Sequence, residues 1–335
     1  MTFKILSIDG GGIRGIIPGQ ILVSLEEKIQ KKSGDHNARI GDYFDMVSGT
    51  STGAILAAAY VCPTDSKNST ARFSAQDAVN FYLDEGDEIF DVGFWRSLIT
   101  FNSLNDEKFS ADELNRVLLD AFGDIKLSEL IKPTCFISYD VRKRKPIIFT
   151  QHDSIAKGND FLVRDLLRGS SAAPTYFEAA RIYSLAPNRK KHVLVDGGMV
   201  ANDPTLCAYS EAINFKGVNG IKDMMIFSLG TGKELRSYSY GEIKDWGPLG
   251  WAKPSIDIAL EGGPQMTEFH MNQIASTVKK SNLFRLQPKL YGADTALDNA
   301  TTENLSALKE SGKRNAIEND TMLERIADFL VNNSE

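Results

Sequence analysis

The chain has 335 residues, of which 42% are hydrophobic and 24% charged, proportions that are typical of a globular protein with a sizeable core. Its formal net charge of −6 argues against a protein that tracks nucleic-acid phosphates, and the short basic run at 142–145 is predicted to be a solvated hairpin turn. Three separated cysteines without a CxxC pair predict neither a disulfide framework nor a zinc site.

The beginning of the chain enters an apolar stretch at once, without the features of a secretion signal, and no run of about 18 apolar residues follows. We therefore expect a cytoplasmic protein whose membrane contact, if any, is peripheral. Neither an internal repeat nor a linker is visible. The predicted organisation is one domain over 1–335, with a motif-bearing core at about 3–232 and a helical C-terminal part at about 255–332.

The first predicted unit is a strand at 3–8, a loop with the sequence DGGGIRG at 9–15, and a helix at 17–31. Gly10, Gly12 and Gly15 have the spacing of a dinucleotide-binding loop. That function also needs an acidic residue at the end of the second strand, about 20 positions on. Glu26 and Glu27 stand at this distance but inside the predicted helix, which disfavours nucleotide binding.

The second predicted unit is a strand at 43–49, the sequence GTSTG at 49–53, and a helix of small residues at 54–61. GTSTG matches the G-x-S-x-G pattern of a nucleophile elbow, which presents Ser51 at a helix N-terminus. Backbone N–H groups of the first glycine loop would then be placed to bind an oxyanion. Two consecutive strand–loop–helix units predict an α/β fold, with a mostly parallel central sheet between two helical layers.

Further elements follow from the periodicity of apolar residues. The predicted strands lie at 133–141, 146–150, 192–198 and 223–232, and the predicted helices at 74–90, 110–122, 205–214, 255–280 and 303–332.

The base that would activate Ser51 is not a histidine with a recognisable signature, although His36, His152, His192 and His270 are present. His192 and Asp196 share a strand, where four residues at about 3.3 Å each put them some 13 Å apart, so both cannot reach one serine. Asp196 ends the apolar run VLVD before two glycines and is the better candidate. An acid that merely opens an Asp-Gly turn is the alternative.

Together these motifs resemble those of the patatin-like phospholipases. DGGGIRG at 9–15 resembles the family's oxyanion block, GTSTG at 49–53 its nucleophile elbow, SSAAPTYF at 170–177 its Ala-Pro block and DGG at 196–198 its catalytic Asp-Gly element, and FSLGTG at 227–232 extends the match. The resemblance implies a patatin-like fold and the hydrolysis of fatty-acyl esters of phospholipids or other glycerolipids.

The resemblance also implies the roles of individual residues. Ser51 would be the nucleophile and Asp196 the base of a dyad without histidine, and Gly10, Gly11 and Gly12 would be the oxyanion donors. Supporting positions are Arg14, Gly49, Gly53, Gly197 and Gly198. No metal or organic cofactor is expected, and the absence of an EF-hand spacing predicts that hydrolysis needs no calcium.

Two apolar segments are candidates for the route of the lipid. The segment at 88–104 is predicted to be either an interfacial lip for acyl chains or a buried core helix, and the aromatic region at 238–251 is a candidate lid. The remaining alternatives are a nonspecific esterase, a bacterial effector phospholipase gated by a small regulator such as a cyclic dinucleotide, and a nucleotide-binding protein. The sequence predicts no nucleic-acid partner and gives no indication of oligomeric state.

Overall fold

A computed structural model describes residues 2–65, 70–83, 111–233 and 237–333 of the chain. The segment at 88–104, with its predicted lip, lies outside these residues, as does the second half of the helix predicted at 74–90. The strands are β1 (Phe3–Ile8), β2 (Met46–Thr50), β3 (Thr134–Asp140), β4 (Lys145–Phe149), β5 (Ala180–Tyr183), β6 (Lys191–Asp196), β7 (Met224–Leu229) and β8 (Asn282–Leu286).

These strands form one sheet in the order β5-β6-β3-β2-β1-β7-β8, with β4 paired to β3. The central pairs β3–β2, β2–β1, β1–β7 and β7–β8 are parallel, and the pairs that involve β4, β5 and β6 are antiparallel. The mostly parallel central sheet predicted from the sequence is therefore confirmed.

The helices are α1 (Ile16–Ser33), α2 (Ile40–Tyr43), α3 (Thr52–Tyr60), α4 (Ala75–Asn80), α5 (Ala111–Phe122), α6 (Gln151–Lys157), α7 (Val163–Ser170), α8 (Gly198–Ala201), α9 (Thr205–Ala212), α10 (Tyr240–Ile243), α11 (Pro248–Ser276), α12 (Thr302–Glu318) and α13 (Asp320–Asn332). Short 3-10 helices lie at Gly12–Gly15, Leu127–Glu129 and Ile221–Asp223.

Both faces of the sheet are covered, because successive strand residues point to opposite sides. On β1, Leu6 and Ile8 join the larger hydrophobic core with α1, α3, α12 and α13. Ile5 belongs instead to a second core that includes Ala208 of α9 and Met271 of α11. The fold therefore has three layers, α/β/α, as predicted.

The C-terminal part departs from the prediction of a helical region at 255–332. It contains β8, which adds a parallel strand to β7, and the helix predicted at 303–332 is divided into α12 and α13 at Asn319. The side chains of β8 are mostly half-buried, so the segment lacks the continuous apolar run by which a buried strand is recognised. The elements α6, α7 and β5 were not predicted either, and each is only four to eight residues long.

Candidate active site

The turn from β2 into α3 holds Ser51 in an unusual backbone conformation. Its φ is 55° and its ψ is −125°, a region that residues with a side chain rarely occupy and that costs energy to maintain. Glycine is required on both sides of Ser51, at positions 49 and 53, for steric reasons. A Cβ on Gly49 would collide with the backbone of Gly53, and a Cβ on Gly53 would collide with the carbonyl oxygen of Ile8. The turn therefore has the strained geometry of a nucleophile elbow.

The register of β3 brings the end of another strand to this elbow. Ile137 pairs with both Thr50 of β2 and Ile148 of β4, whereas the next residue, Ser138, pairs with β4 and with Asp196 of β6. Since a strand has only two edges, β2 and β6 occupy the same edge of β3. They run in opposite directions, so their carboxyl ends meet.

This meeting of strand ends places Asp196 beside Ser51. The Ser51 hydroxyl donates to Oδ2 of Asp196 at 2.7 Å, and the Gly198 N–H donates to Oδ1 at 2.7 Å. Asp196 is only 3% exposed. Burial raises the pKa of Asp196 to about 6, although the hydrogen bonds from Gly198 and Ser51 oppose the rise.

The first glycine loop lies next to this pair and is anchored by hydrogen bonds of its backbone on both sides of Gly11 and Gly12. The Gly10 N–H donates to the carbonyl of Asn202 at 3.0 Å, and the Gly10 carbonyl accepts from the Thr231 hydroxyl at 2.8 Å. The Ile13 N–H donates to the carbonyl of Leu297 at 2.9 Å. Between these anchors, within the part of the chain that the structure describes, the N–H groups of Gly11 and Gly12 have no hydrogen-bond partner.

A cleft lies between this loop and the elbow and is lined by residues of both. Ser51, Asp196, Gly11, Gly12 and Arg14 line its polar side. The other residues that line the cleft are largely apolar and include Ala173, Tyr176, Phe177, Leu260 and Leu297. The cleft thus joins a hydroxyl, a carboxylate and two backbone donors to a surface suited to a hydrocarbon chain.

Gly10 differs from the other two predicted oxyanion donors. Its N–H is occupied by Asn202, and it is not among the residues that line the cleft.

Of the supporting positions, Gly197 donates its N–H to the carbonyl of Ser170 at 3.2 Å, and a Cβ on it would collide with the carbonyl oxygen of Ile137.

The histidines lie away from the cleft. His192 places Nδ1 at 2.9 Å from Oδ2 of Asp140, and His152 places Nε2 at 3.2 Å from Oε2 of Glu211. His36 and His270 are exposed. No histidine lines the cleft in the described residues, in agreement with the separation of His192 and Asp196 inferred from strand geometry.

Comparison with known proteins identifies the family. A family model described as patatin-like phospholipase matches residues 6–209. Two proteins of Arabidopsis thaliana, patatin-like protein 4 and patatin-like protein 2, are 32% and 33% identical to the chain, covering 92% of it and 82% and 81% of their own lengths. The chain belongs to the patatin-like phospholipase family. Membership places it among lipid acyl hydrolases, and the resemblance found in the sequence is confirmed.

Among solved structures, that of VipD from Legionella pneumophila is similar to this patatin-like chain with a TM-score of 0.43 and 13% identity, covering 95% of this chain and 66% of that one. Within the described residues, no helix is long and apolar enough to cross a membrane, and no three potential metal-ligating side chains lie together.

Several residues that hold the patatin-like site were missed by sequence reasoning. Ser170 accepts the Ser51 N–H at 3.0 Å and donates to the carbonyl of Ile137 at 2.6 Å. Asp9, at the start of the glycine loop, forms a two-point ion pair with Arg285 of β8, with N–O distances of 2.8 and 2.6 Å. The role of Ser170 could have been found from the sequence, because this residue opens the SSAAPTYF block. The ion pair between Asp9 and Arg285 could not, because nothing in the sequence pairs position 9 with position 285.

Proposed function

We propose that this protein hydrolyses fatty-acyl esters of phospholipids or related glycerolipids, with Ser51 as nucleophile and Asp196 as base. The observation that carries the proposal is the 2.7 Å hydrogen bond from Ser51 to a buried carboxylate, beside two unoccupied backbone N–H groups and an apolar wall. A nucleophile, its base and oxyanion donors around one cleft are the parts that acyl transfer requires.

In the first half-reaction, Oδ2 of Asp196 accepts the proton of the Ser51 hydroxyl while the serine oxygen bonds to the ester carbonyl carbon. The negative charge that forms on the carbonyl oxygen is stabilised by the N–H groups of Gly11 and Gly12. The tetrahedral intermediate then collapses, the C–O bond to the alcohol breaks, and the alcohol leaves with the proton from Asp196. The fatty acyl group remains esterified to Ser51.

In the second half-reaction, Asp196 accepts a proton from water, and the resulting hydroxide equivalent attacks the acyl-enzyme carbonyl. The bond to Ser51 breaks, the serine oxygen recovers its proton from Asp196, and the fatty acid is released. The Gly198 N–H holds Oδ1, so that Oδ2 faces the reacting groups in both halves. Gly10 has a different role in this scheme, because its N–H keeps the loop in place through Asn202.

The test is product analysis by mass spectrometry, after incubation of a mixed lipid extract with the protein or with its Ser51→Ala variant. We expect free fatty acids and lysolipids with the protein only. A soluble short-chain ester is assayed in parallel. Turnover of that ester without any change in the extract would indicate a nonspecific esterase instead of a lipid hydrolase. The same products with Ser51→Ala would contradict the assignment of Ser51 as the nucleophile.

We further predict that hydrolysis is independent of calcium, because backbone donors meet the oxyanion and no step needs a metal ion. Dialysis against EDTA should leave the rate unchanged on both the lipid extract and the soluble ester. A loss of activity that added calcium restores would contradict this prediction, and measuring the soluble ester separates an effect on the enzyme from an effect on the lipid aggregate.

A further inference from the structure

The helix α11 has an apolar outer face as well as the inner face that packs on the fold. Trp251, Ile258, Met266 and Phe269 are 37%, 53%, 55% and 55% exposed. With about 3.6 residues per turn, their spacing of 7, 8 and 3 positions puts all four on one stripe along the helix. We name these four residues the outer stripe.

The outer stripe carries no charge. Successive residues of a helix are rotated by about 100°, so the positions within about 60° of the stripe's axis include Ser255, Gly262, Gln265 and Gln273. Glu261 and His270 lie about 90° from this axis, and Glu268 lines a pocket with Arg285. Scattered exposed apolar residues are common on protein surfaces, but an uncharged apolar strip about five turns long favours an apolar partner over a charged one.

The opposite face of the same helix belongs to the candidate active site. Leu260 lines the cleft, and its carbonyl accepts a hydrogen bond from the Asn202 side chain at 2.9 Å. Farther along this face, Met271 is 2% exposed in the second core. The cleft therefore lies one helix diameter, about 10 Å, behind the outer stripe.

Aromatic residues extend the outer stripe at its N-terminal end. The ring of Trp246 stacks edge-to-face on that of Trp251 at 5.4 Å, and Tyr238 stacks on Trp246 at the same distance. Tyr240, close by in sequence, is 79% exposed. Trp and Tyr are enriched where protein meets the boundary between lipid head groups and acyl chains, because their rings are apolar with one polar atom.

We propose that the outer stripe of α11, with the aromatic group at its N-terminal end, is the surface by which this protein adsorbs to a phospholipid bilayer. The helix lies in the plane of the interface with the stripe among the acyl chains, while its opposite face contributes Leu260 to the cleft. The lack of charge on the strip fits a bilayer of zwitterionic lipid. The proposal rests on the proposed function, because a lipid substrate gives the protein a reason to adsorb to a bilayer. Binding to vesicles can be measured without any assay of hydrolysis.

The test measures cosedimentation with phosphatidylcholine vesicles, in the Ser51→Ala background so that the vesicles stay intact. We expect Ile258→Ser combined with Phe269→Ser to lower the vesicle partition coefficient at least tenfold. Matched controls are Ile155→Ser and Ile317→Ser, whose side chains are 60% and 75% exposed on α6 and α12 and should leave partitioning unchanged. With Ser51 restored, the double variant should hydrolyse a soluble short-chain ester at the wild-type rate, which verifies its fold.

Partitioning of the double variant equal to that of the controls would overturn the proposal. It would also be overturned if sedimentation equilibrium showed a wild-type dimer that the double variant loses, with vesicle binding unchanged, since the stripe would then be an interface between two copies. Failure of the proposed function looks different: either the soluble ester would be turned over while the lipid extract stays unchanged, or Ser51→Ala would give the same products as the wild type, whatever the binding result.

Discussion

At the scale of single residues, the environment of Asp196 decides whether it can activate a serine. A carboxylate in water has a pKa near 4 and is a poor base toward a hydroxyl. Burial of Asp196 penalises its ionised form and raises its pKa to about 6, which strengthens it as a base while leaving it ionised at neutral pH. One backbone donor, from Gly198, keeps the carboxylate oriented.

The first prediction concerns the identity of the base. Asp196→Asn keeps the shape of the side chain but removes the proton acceptor, so turnover of a soluble ester should fall by about 1,000-fold or more, as with Ser51→Ala. His270→Ala and His152→Gln should retain most activity, because neither side chain lines the cleft. Circular dichroism verifies folding. A folded histidine variant as inactive as Ser51→Ala would indicate a triad and contradict the dyad.

The second prediction is the pH dependence of turnover. Below its pKa of about 6, Asp196 is protonated and cannot accept the serine proton, so kcat on a soluble ester should rise with pH, with a midpoint near 6, and level off about one pH unit higher. Rates are measured over the range in which the circular dichroism spectrum is constant. The residual rate of Asp196→Asn should lack this rise. A midpoint unchanged in that variant would assign the titration to another group.

At the scale of elements, β8 holds the glycine loop from a part of the chain that lies beyond the family-model match at 6–209. Arg285 bonds both oxygens of Asp9 and lies 3.4 Å from a carboxylate oxygen of Asp203. Burial alone would lower the pKa of Arg285, but these two carboxylates raise it above its ordinary value. The pair fixes the residue before Gly10, and so the direction in which the Gly11 and Gly12 donors point.

The third prediction is that Arg285→Gln lowers both stability and kcat. Removing one partner of a buried ion pair costs about 3 to 5 kcal/mol, because the remaining carboxylates are uncompensated. Adding Asp9→Asn should recover part of the stability by removing one of these charges. The control is Lys157→Gln, which breaks the exposed 2.6 Å pair with Asp153 and should cost at most about 1 kcal/mol. Equal melting temperatures for Arg285→Gln and the control would contradict this account.

The sequence was most informative where function depends on local backbone geometry. Gly49 is required by a contact within the turn itself, with the backbone of Gly53, so the elbow is visible in five consecutive letters. The strand–loop–helix pattern around it predicted the parallel centre of the sheet. The partners of the site come from distant segments. The anchors Thr231, Arg285 and Leu297 lie more than 200 residues from the glycine loop along the chain, and no local pattern pairs them with it.

At the scale of the whole molecule, the last two helices complete one layer by packing on α1. Leu305, Leu308, Leu323, Ile326 and Leu330 of α12 and α13 are between 0% and 6% exposed. At about 1.5 to 3 kcal/mol each, their burial contributes about 8 to 15 kcal/mol. That is comparable to the entire stability of a typical domain, about 5 to 15 kcal/mol. The C-terminal helices are therefore part of the fold that supports the site.

The final prediction tests this packing at its closest point, Gly312. A Cβ at Gly312 would lie 2.6 Å from Cβ of Gln20 and 3.0 Å from the carbonyl oxygen of Ile17, so α12 approaches α1 too closely for any side chain. Helix propensity favours alanine over glycine by about 1 kcal/mol, whereas forcing an extra carbon into a packed interface costs about 1 to 3 kcal/mol and here moves two helices apart. Gly312→Ala should therefore lower the free energy of unfolding measured with urea. The matched control is Gly262→Ala in α11, where a Cβ would meet no atom within 4 Å and propensity alone acts, so stability should rise. If both variants were stabilised alike, the contact between α12 and α1 would be looser than described, and the C-terminal helices would contribute less to the fold than their burial indicates.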